Sequence, residues 1–129
     1  MSMLRVGFVG LGAMGESMAG HLHRAGLLVA VCNRSHDKAQ RFAAEHAGVL
    51  ALADAGDLAA HCDVVISCVT ADADVLGLAA ALAAKAKPGF VLVDTSTIAS
   101  TSARTASELL RAVGADFLQR LLHGRQHQP

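Results

Sequence analysis

The sequence predicts an α/β protein built on a doubly wound parallel sheet. Short apolar, β-branched runs alternate along the chain with longer, alanine-rich runs, and this alternation is typical of a parallel sheet with helices on both faces. The run 63–69 has a nearly continuous apolar centre, as expected for a strand that is covered on both sides. Because ligands of such sheets bind beyond the carboxyl ends of the strands, the residues that follow each strand are the candidates for function.

Six apolar runs predict strands, at residues 4–9, 27–32, 48–50, 63–69, 90–94 and 115–118. Five alanine-rich or amphipathic runs predict helices, at residues 13–25, 36–46, 55–61, 72–85 and about 100–113. Ser35 is a predicted N-cap of the second helix, and Ser100 or Thr101 is the predicted N-cap of the last one. Gly114 is predicted to end that last helix.

Composition limits the classes of function. A chain of 129 residues is typical of a single domain. Its 11 basic residues balance 11 acidic residues, so the net charge favours neither nucleic acid nor an anionic membrane as a partner. The chain has no apolar run of membrane-spanning length and no leader-like N-terminus, so we expect a cytoplasmic protein.

The cysteines and histidines do not predict a metal site. Cys32, Cys62 and Cys68 lack C-x-x-C spacing, and each lies in or beside an apolar run, so we interpret them as small buried residues. His123 and His127 are four residues apart and could share one face of a helix, but no third ligand accompanies them. We therefore assign no metal ligand.

The segment 6–20 contains five of the 12 glycines, three of them in the pattern G-x-G-x-x-G between the first strand and the first helix. In a dinucleotide-binding turn, Gly10 allows a tight turn, Gly12 lets the backbone approach a pyrophosphate, and Gly15 allows close packing of helix on strand. Gly7 indicates close packing of the strand against a neighbouring helix. The alternative is a turn that serves packing alone. The predicted cofactor-binding residues of this turn are Gly10, Leu11, Gly12, Ala13, Met14 and Gly15.

The end of the second strand carries Asn33, Arg34 and Ser35. NAD-binding domains usually place an acid here for the ribose hydroxyls, and such an acid would repel the 2′-phosphate of NADP. Arg34 can instead pair with that phosphate, and Asn33 and Ser35 can donate hydrogen bonds to it. The sequence therefore favours NADP, with NAD as the alternative cofactor.

Hydroxyl side chains follow the fourth and fifth strands. Val69 and Thr70 could line the path from adenine to nicotinamide, although Thr70 could equally cap the next helix. Residues 95–97 are Thr-Ser-Thr, which could donate to a carboxamide or to a substrate acid. Taken alone, that cluster is better explained as an N-cap of the following helix.

The segments GFVGLGAMGESMAGHL, CNRS, DVVISCV, VDTSTI and GADFL, in this order and spacing, resemble the β-hydroxyacid dehydrogenase family, which includes 3-hydroxyisobutyrate dehydrogenase and, more distantly, 6-phosphogluconate dehydrogenase. The resemblance covers residues 4–118. It implies a Rossmann-type domain that binds NAD or NADP, and the Asn-Arg-Ser segment resembles the NADP-preferring members. It also implies that Thr97 contacts the cofactor and Ser96 the substrate.

The resemblance stops after Leu118. We therefore divide the chain into a dinucleotide-binding domain, 1–118, and a non-family tail, 119–129. The family continues into an all-helical domain that carries its catalytic lysine, and we expect this chain to lack that domain as a truncated or frameshifted product. No catalytic residue is assigned, because none of the lysines stands at the family's position; they are Lys38, Lys85 and Lys87.

Two functions remain open. The chain could be the NADP-binding half of an oxidoreductase that acts on a small 3-hydroxy acid or semialdehyde, inactive without a helical domain. It could also be a non-catalytic nucleotide-binding module or a truncated gene product. A methyltransferase is disfavoured because no acid directly follows Cys32. The expected partners are a small hydroxy acid or semialdehyde, if a helical domain completes the site, and a second copy through exposed apolar surface.

Overall fold

The computed structural model describes residues 4–120. The interpretation of His123 and His127, and most of the predicted tail, lie outside these residues. The strands are β1 (Val6–Val9), β2 (Leu28–Cys32), β3 (Leu50–Ala51), β4 (Val64–Ser67), β5 (Val91–Asp94) and β6 (Asp116–Gln119). The helices are α1 (Ala13–Arg24), α2 (His36–Glu45), α3 (Leu58–His61, preceded by a 3₁₀ turn at Ala55–Asp57), α4 (Asp72–Ala83) and α5 (Ser100–Arg111).

All six strands form one parallel sheet in the order β3-β2-β1-β4-β5-β6. The chain moves outward from β1 to one edge, returns to the other side of β1, and then moves outward again. The order therefore reverses between β1 and β4, and such a switch point is where ligands of doubly wound sheets bind. The predicted fold class is confirmed.

The strand register aligns the ends of the three central strands. Val9, the last residue of β1, lies beside Cys32 of β2 and Ser67 of β4. The residues that follow, including Gly10, Asn33 and Cys68, therefore emerge together at one edge of the sheet. Residues that are distant in sequence are thus brought to a single edge by the alignment of the strands.

Two apolar cores cover the two faces of the sheet. Phe8, Leu11 and Phe42 belong to the core under α1 and α2. The second core includes Leu82 of α4 and Leu110 of α5, both fully buried. The two cores explain why the strand residues read as continuous apolar runs rather than as alternating ones.

The cysteines in the described part of the chain are free thiols. Cys32 and Cys62 are buried, and Cys68 is half-buried. Burial raises the pKa of the Cys62 thiol to about 12, because removing the thiolate from water disfavours the charged form. Cys62 therefore acts as a small apolar residue of the core.

The last helix begins differently from the prediction. Its N-cap position is occupied by Ala99, and Ser100 is already helical, so the prediction of Ser100 or Thr101 as the cap is wrong. The Asp72 carboxylate of α4 accepts hydrogen bonds from Ala99 N (3.0 Å) and Ser102 Oγ (2.7 Å). A side chain from the neighbouring helix thus supplies an acceptor at this helix start, which makes a local cap unnecessary. These hydrogen bonds lower the pKa of Asp72, with the Ser102 hydroxyl contributing most.

The second helix begins as predicted, with Ser35 at its N-cap position, but the Ser35 side chain makes no capping hydrogen bond. Within residues 4–120, no helix is both long enough and apolar enough to cross a membrane.

Gly7 lies where β1 meets α3. A Cβ atom at Gly7 would stand 2.8 Å from Cys62 Sγ and 3.0 Å from a methyl carbon of Leu58. The predicted close packing against a helix is therefore confirmed. By contrast, a Cβ atom at Gly20 in α1 would meet only Arg24 Nη1, at 3.8 Å.

Gly7→Ala is expected to destabilise the fold by about 1–3 kcal/mol, because the added methyl group overpacks the core. Gly20→Ala is the matched control, and we expect it to stabilise the fold by about 0.5–1 kcal/mol through higher helix propensity. Urea unfolding followed by circular dichroism measures both free energies. Equal stability of the two variants would contradict the packing role of Gly7.

Candidate functional site

A cavity of about 560 Å³ opens at the switch point of the sheet. This volume lies in the range that small-molecule and cofactor sites occupy. The cavity is bounded by the ends of β1, β2 and β4, by the segment before α3 and by one side of α4. The lining residues used below are Gly10, Gly12, Asn33, Arg34, Thr70 and Asp74.

The first and third glycines of the turn, Gly10 and Gly15, are constrained by the protein's own backbone. Gly10 has φ = +99°, and a Cβ atom there would lie 2.1 Å from the carbonyl oxygen of Cys68. A Cβ atom at Gly15 would lie 1.9 Å from the carbonyl oxygen of Gly10. Neither position can accept a side chain unless the backbone moves. Gly10 thus lets β1 turn beside the end of β4, and Gly15 lets α1 approach that turn.

Gly12 differs from these two glycines because no atom lies within 4 Å of the position of its missing Cβ. Its φ of −68° is also open to any residue. Neither packing nor conformation therefore requires glycine at this position. The missing side chain leaves free space on the side of the cavity, which is the arrangement that close approach of a ligand would require.

The start of α1 stands beside this space. Its first intrahelical hydrogen bond runs from Glu16 N to Gly12 O, at 2.7 Å. The N–H groups of residues 13–15 precede that bond and have no acceptor within the helix. Together with the helix dipole, they give the turn a partial positive charge, which suits a phosphate group.

Asn33 holds the glycine turn in place. Its Oδ1 accepts a hydrogen bond from Leu11 N (2.7 Å), and its Nδ2 donates to Ser35 O (3.2 Å). The side-chain amide therefore links the end of β2 to the turn after β1. The sequence predicted that Asn33 contacts the cofactor and gave no sign of this positioning role, because the partner lies 22 residues away in the chain.

Arg34 pairs with an acid from the opposite side of the cavity. Its Nη2 lies 2.7 Å from Asp74 Oδ1; the Arg34 side chain is 80% exposed and the Asp74 side chain 25%. Thr70 Oγ1 donates to Asp74 Oδ2 at 3.3 Å. The N-cap position of α4 is Ala71, so Thr70 contacts Asp74 instead of occupying the cap. Asp74 could not be predicted from the sequence, because an acid in the first turn of a helix is common and its partner, Arg34, lies 40 residues away in the chain.

A buried carboxylate connects the ends of β4, β5 and β6. Asp94 is fully buried and accepts from Ser67 Oγ (2.7 Å), Ser96 Oγ (2.9 Å), Ser96 N (3.2 Å) and Gln119 Nε2 (3.0 Å). Hydrogen bonds from four donors compensate the burial of this group. Gln119, which the sequence analysis placed in the tail, is thus part of β6 and of this network.

The Thr-Ser-Thr cluster has two buried members, which bind other parts of the protein, and one exposed member. Thr95 Oγ1 donates to Ser67 O at 2.7 Å, and Ser96 Oγ also accepts from Val69 N at 2.8 Å. Both residues are buried, whereas Thr97 is exposed. The predicted substrate contact, Ser96, therefore has its hydroxyl directed into the hydrogen-bond network in this structure, and Thr97 is the member of the cluster open to solvent.

The structure brings part of the predicted cofactor set into one cavity. Six predicted residues line it: Gly10, Gly12, Asn33, Arg34, Val69 and Thr70. The other predicted residues do not line it: Leu11, Ala13 and Ser35 are next to lining residues in the chain, Met14 and Gly15 lie in the first turn of α1, and Ser96 and Thr97 follow β5. Cys32 also lines the cavity; burial and, secondarily, the Asp54 charge raise the pKa of its thiol.

The sheet order, the switch-point cavity and the glycine turn at a helix start together define a Rossmann-type dinucleotide-binding domain. The chain belongs to the family described as the NAD binding domain of 6-phosphogluconate dehydrogenase, whose family model matches residues 5–124. The family resemblance inferred from the sequence is confirmed.

Three relatives show how far the similarity extends. Mycobacterium tuberculosis 3-hydroxyisobutyrate dehydrogenase, solved with L-serine, is 30% identical with a TM-score of 0.84, over 95% of this chain and 42% of that one. The NAD-dependent L-serine dehydrogenase of Pseudomonas aeruginosa is 36% identical over 95% of this chain and 41% of its own. The cytokine-like nuclear factor N-PAC of Danio rerio is 32% identical over 95% of this chain and 27% of its own. The chain therefore spans less than half the length of these relatives.

Gly12→Val is expected to abolish cofactor binding while the domain stays folded, because the new side chain enters the space beside the α1 start and its Cβ has no protein atom within 4 Å. We expect stability to fall by no more than about 1 kcal/mol, the scale of an altered N-cap. Titration with NADPH, followed by cofactor fluorescence, measures the loss. Gly20→Ala serves as a glycine replacement remote from the cavity, and unchanged NADPH affinity in Gly12→Val would contradict the role given to Gly12.

Proposed function

We propose that the chain is the NAD(P)-binding domain of an oxidoreductase similar to 3-hydroxyisobutyrate dehydrogenase. We propose that its preferred cofactor is NADP and that it serves hydride transfer to or from a small 3-hydroxy acid or semialdehyde. The observation that carries the proposal is the open space at Gly12, beside the first turn of α1. A pyrophosphate in this space would accept from the N–H groups of residues 13–15.

The adenosine end of the cofactor would lie toward Arg34. Its guanidinium is exposed at the rim of the cavity and can form a two-pronged contact with a 2′-phosphate. Ser35 supports this placement, since its side chain makes no capping bond to α2 and it stands at the positive end of that helix. Arg34 and Ser35 would thus bind the group that distinguishes NADP from NAD.

The nicotinamide end would extend past Val69 and Thr70 toward Thr97. Val69 and Thr70 line the cavity beyond β4, and Thr97 is exposed beyond the adjacent strand β5. A substrate carboxylate or hydroxyl next to the nicotinamide would then lie near Ser96 and Thr97. This substrate class agrees with the relatives, one of which is solved with L-serine and another of which is named for acting on it.

We propose that the chain alone turns over very slowly. The family resemblance implies a lysine as the proton-transferring group. Lys38 lies on α2, and Lys85 and Lys87 follow α4; none of them lines the cavity. Among the residues that the structure describes, positioning of the cofactor is therefore supported better than proton transfer. We further propose a cytoplasmic protein that associates with itself through exposed apolar residues such as Leu118.

The placement of the lysines also supports a second function, a non-catalytic nucleotide-binding module. The similarity to N-PAC, which is named as a nuclear factor, is consistent with use of this domain outside a dehydrogenase. Both functions need the same cavity, and they differ in whether bound cofactor is consumed.

Titrating NADPH into the purified chain and then adding a semialdehyde separates the two functions. We expect micromolar binding and reduction barely above the uncatalysed rate, because the cofactor site is present and no lysine stands beside it. Cofactor fluorescence measures binding, and loss of absorbance at the nicotinamide band measures turnover. Efficient reduction would contradict the proposed inactivity of the chain, and failure to bind either NADPH or NADH would refute both functions.

Arg34→Glu is expected to weaken NADPH binding by about tenfold or more, the scale of a lost charge-assisted contact, and to change NADH binding much less. Arg24→Glu, at the end of α1 on the opposite edge of the sheet, is the control with the same change of charge. Dissociation constants for both cofactors come from the same fluorescence titration. Equal weakening of NADPH and NADH would refute the assignment of Arg34 to the 2′-phosphate.

A further inference from the structure

The ion pair between Arg34 and Asp74 spans the rim of the cavity. Arg34 follows β2, Asp74 lies in the first turn of α4, and both line the cavity. The pair therefore joins the two walls between which the adenosine end of the cofactor would lie. In the structure, the side chain that is best placed to bind a 2′-phosphate is already bound to a carboxylate.

A 2′-phosphate would compete with that carboxylate. Arg34 Nη2 already donates to Asp74 at 2.7 Å, so a phosphate has to compete with the carboxylate for part of the guanidinium. A dianionic phosphate held by Arg34 would also stand near the Asp74 carboxylate, and the repulsion between like charges opposes binding. Neither cost arises with NAD, whose 2′-hydroxyl is uncharged.

Asp74 is held in place from its own side of the cavity. The Thr70 hydroxyl donates to its second oxygen at 3.3 Å, and the positive end of the α4 dipole stabilises an acid in the first turn. Asp72, the other acid of that turn, is directed instead at Ala99 and Ser102. Asp74 is thus the acid of this turn that the structure places against Arg34.

We propose that Asp74 is a specificity-determining residue that reduces the preference for NADP over NAD. It occupies Arg34 and presents a negative charge at the rim, where NAD-binding domains usually place an acid from the end of β2. In this chain the acid comes from α4. The inference rests on the proposed function, because it assumes that the cavity binds the cofactor and that Arg34 faces its 2′-position.

Asp74→Asn tests the inference because it keeps the shape of the side chain and removes the charge. We expect NADPH to bind about two- to fivefold more tightly, the range that an exposed ion pair is worth. NADH affinity should change by a smaller factor, so the dissociation constant of NADH divided by that of NADPH should rise. Asp116→Asn, which removes an exposed acid at the far end of β6, should leave the ratio unchanged.

The same substitution in an Arg34→Ala background tests whether Asp74 acts through Arg34. We expect the gain in NADPH affinity to shrink markedly there, since only direct repulsion of the phosphate remains. Circular dichroism verifies the fold of each variant, and Asp74→Ser is the second variant if Asp74→Asn is poorly folded. The adenosine fragments 2′,5′-ADP and 5′-AMP, titrated in place of the cofactors, restrict the readout to this end of the site.

Three results would overturn the inference. They are an unchanged ratio of the NADH and NADPH dissociation constants in Asp74→Asn, weaker binding of both cofactors by the same factor, and an equal gain in NADPH affinity with and without Arg34. The second would show that Asp74 only supports the cavity wall. All three presuppose that the wild-type chain binds NADPH. A wild-type chain that binds neither cofactor refutes the proposed function itself, so the two failures are distinguishable.

Discussion

The close approach of backbone to backbone at the switch point is the constraint on which the rest of the site depends. The Cys68 carbonyl fills the place of a side chain at Gly10, and the Gly10 carbonyl fills the place of one at Gly15. The end of β4, the turn after β1 and the start of α1 are therefore stacked in backbone contact. This contact fixes where α1 begins, and therefore where its first N–H groups lie. These N–H groups stand beside the free space at Gly12.

Two polar links extend this constraint across the sheet edge. On one side, Asn33 connects the turn to the end of β2. On the other, the buried Asp94 carboxylate connects the ends of β4, β5 and β6 through Ser67 and Gln119. Apolar packing of the two cores has no direction of its own, so these directional bonds, together with the backbone hydrogen bonds of the sheet, align the strand ends at the edge where the cavity opens.

The sequence predicted the layers of this fold because each depends on local pattern. Strand and helix order follows from the alternation of apolar and alanine-rich runs, and the glycine spacing indicated the turn. The contacts that complete the site could not be predicted in the same way, since they join residues far apart in the chain: Leu11 with Asn33, Arg34 with Asp74, and Asp72 with Ser102. The failed prediction of Ser100 as a helix cap has the same origin, because the acceptor comes from another helix.

Cofactor preference illustrates the difference between sequence order and spatial position. In the sequence, the absence of an acid at the end of β2 favours NADP, because an acid at that position would repel the 2′-phosphate. In the folded domain, the end of β2 faces the first turn of α4, and Asp74 supplies a carboxylate at 2.7 Å from Arg34. The electrostatic environment that a 2′-phosphate would meet is therefore set by an acid and a base together, 40 residues apart in sequence. In the proposed site, their balance, rather than the identity of the residue after β2 alone, would decide between the two cofactors.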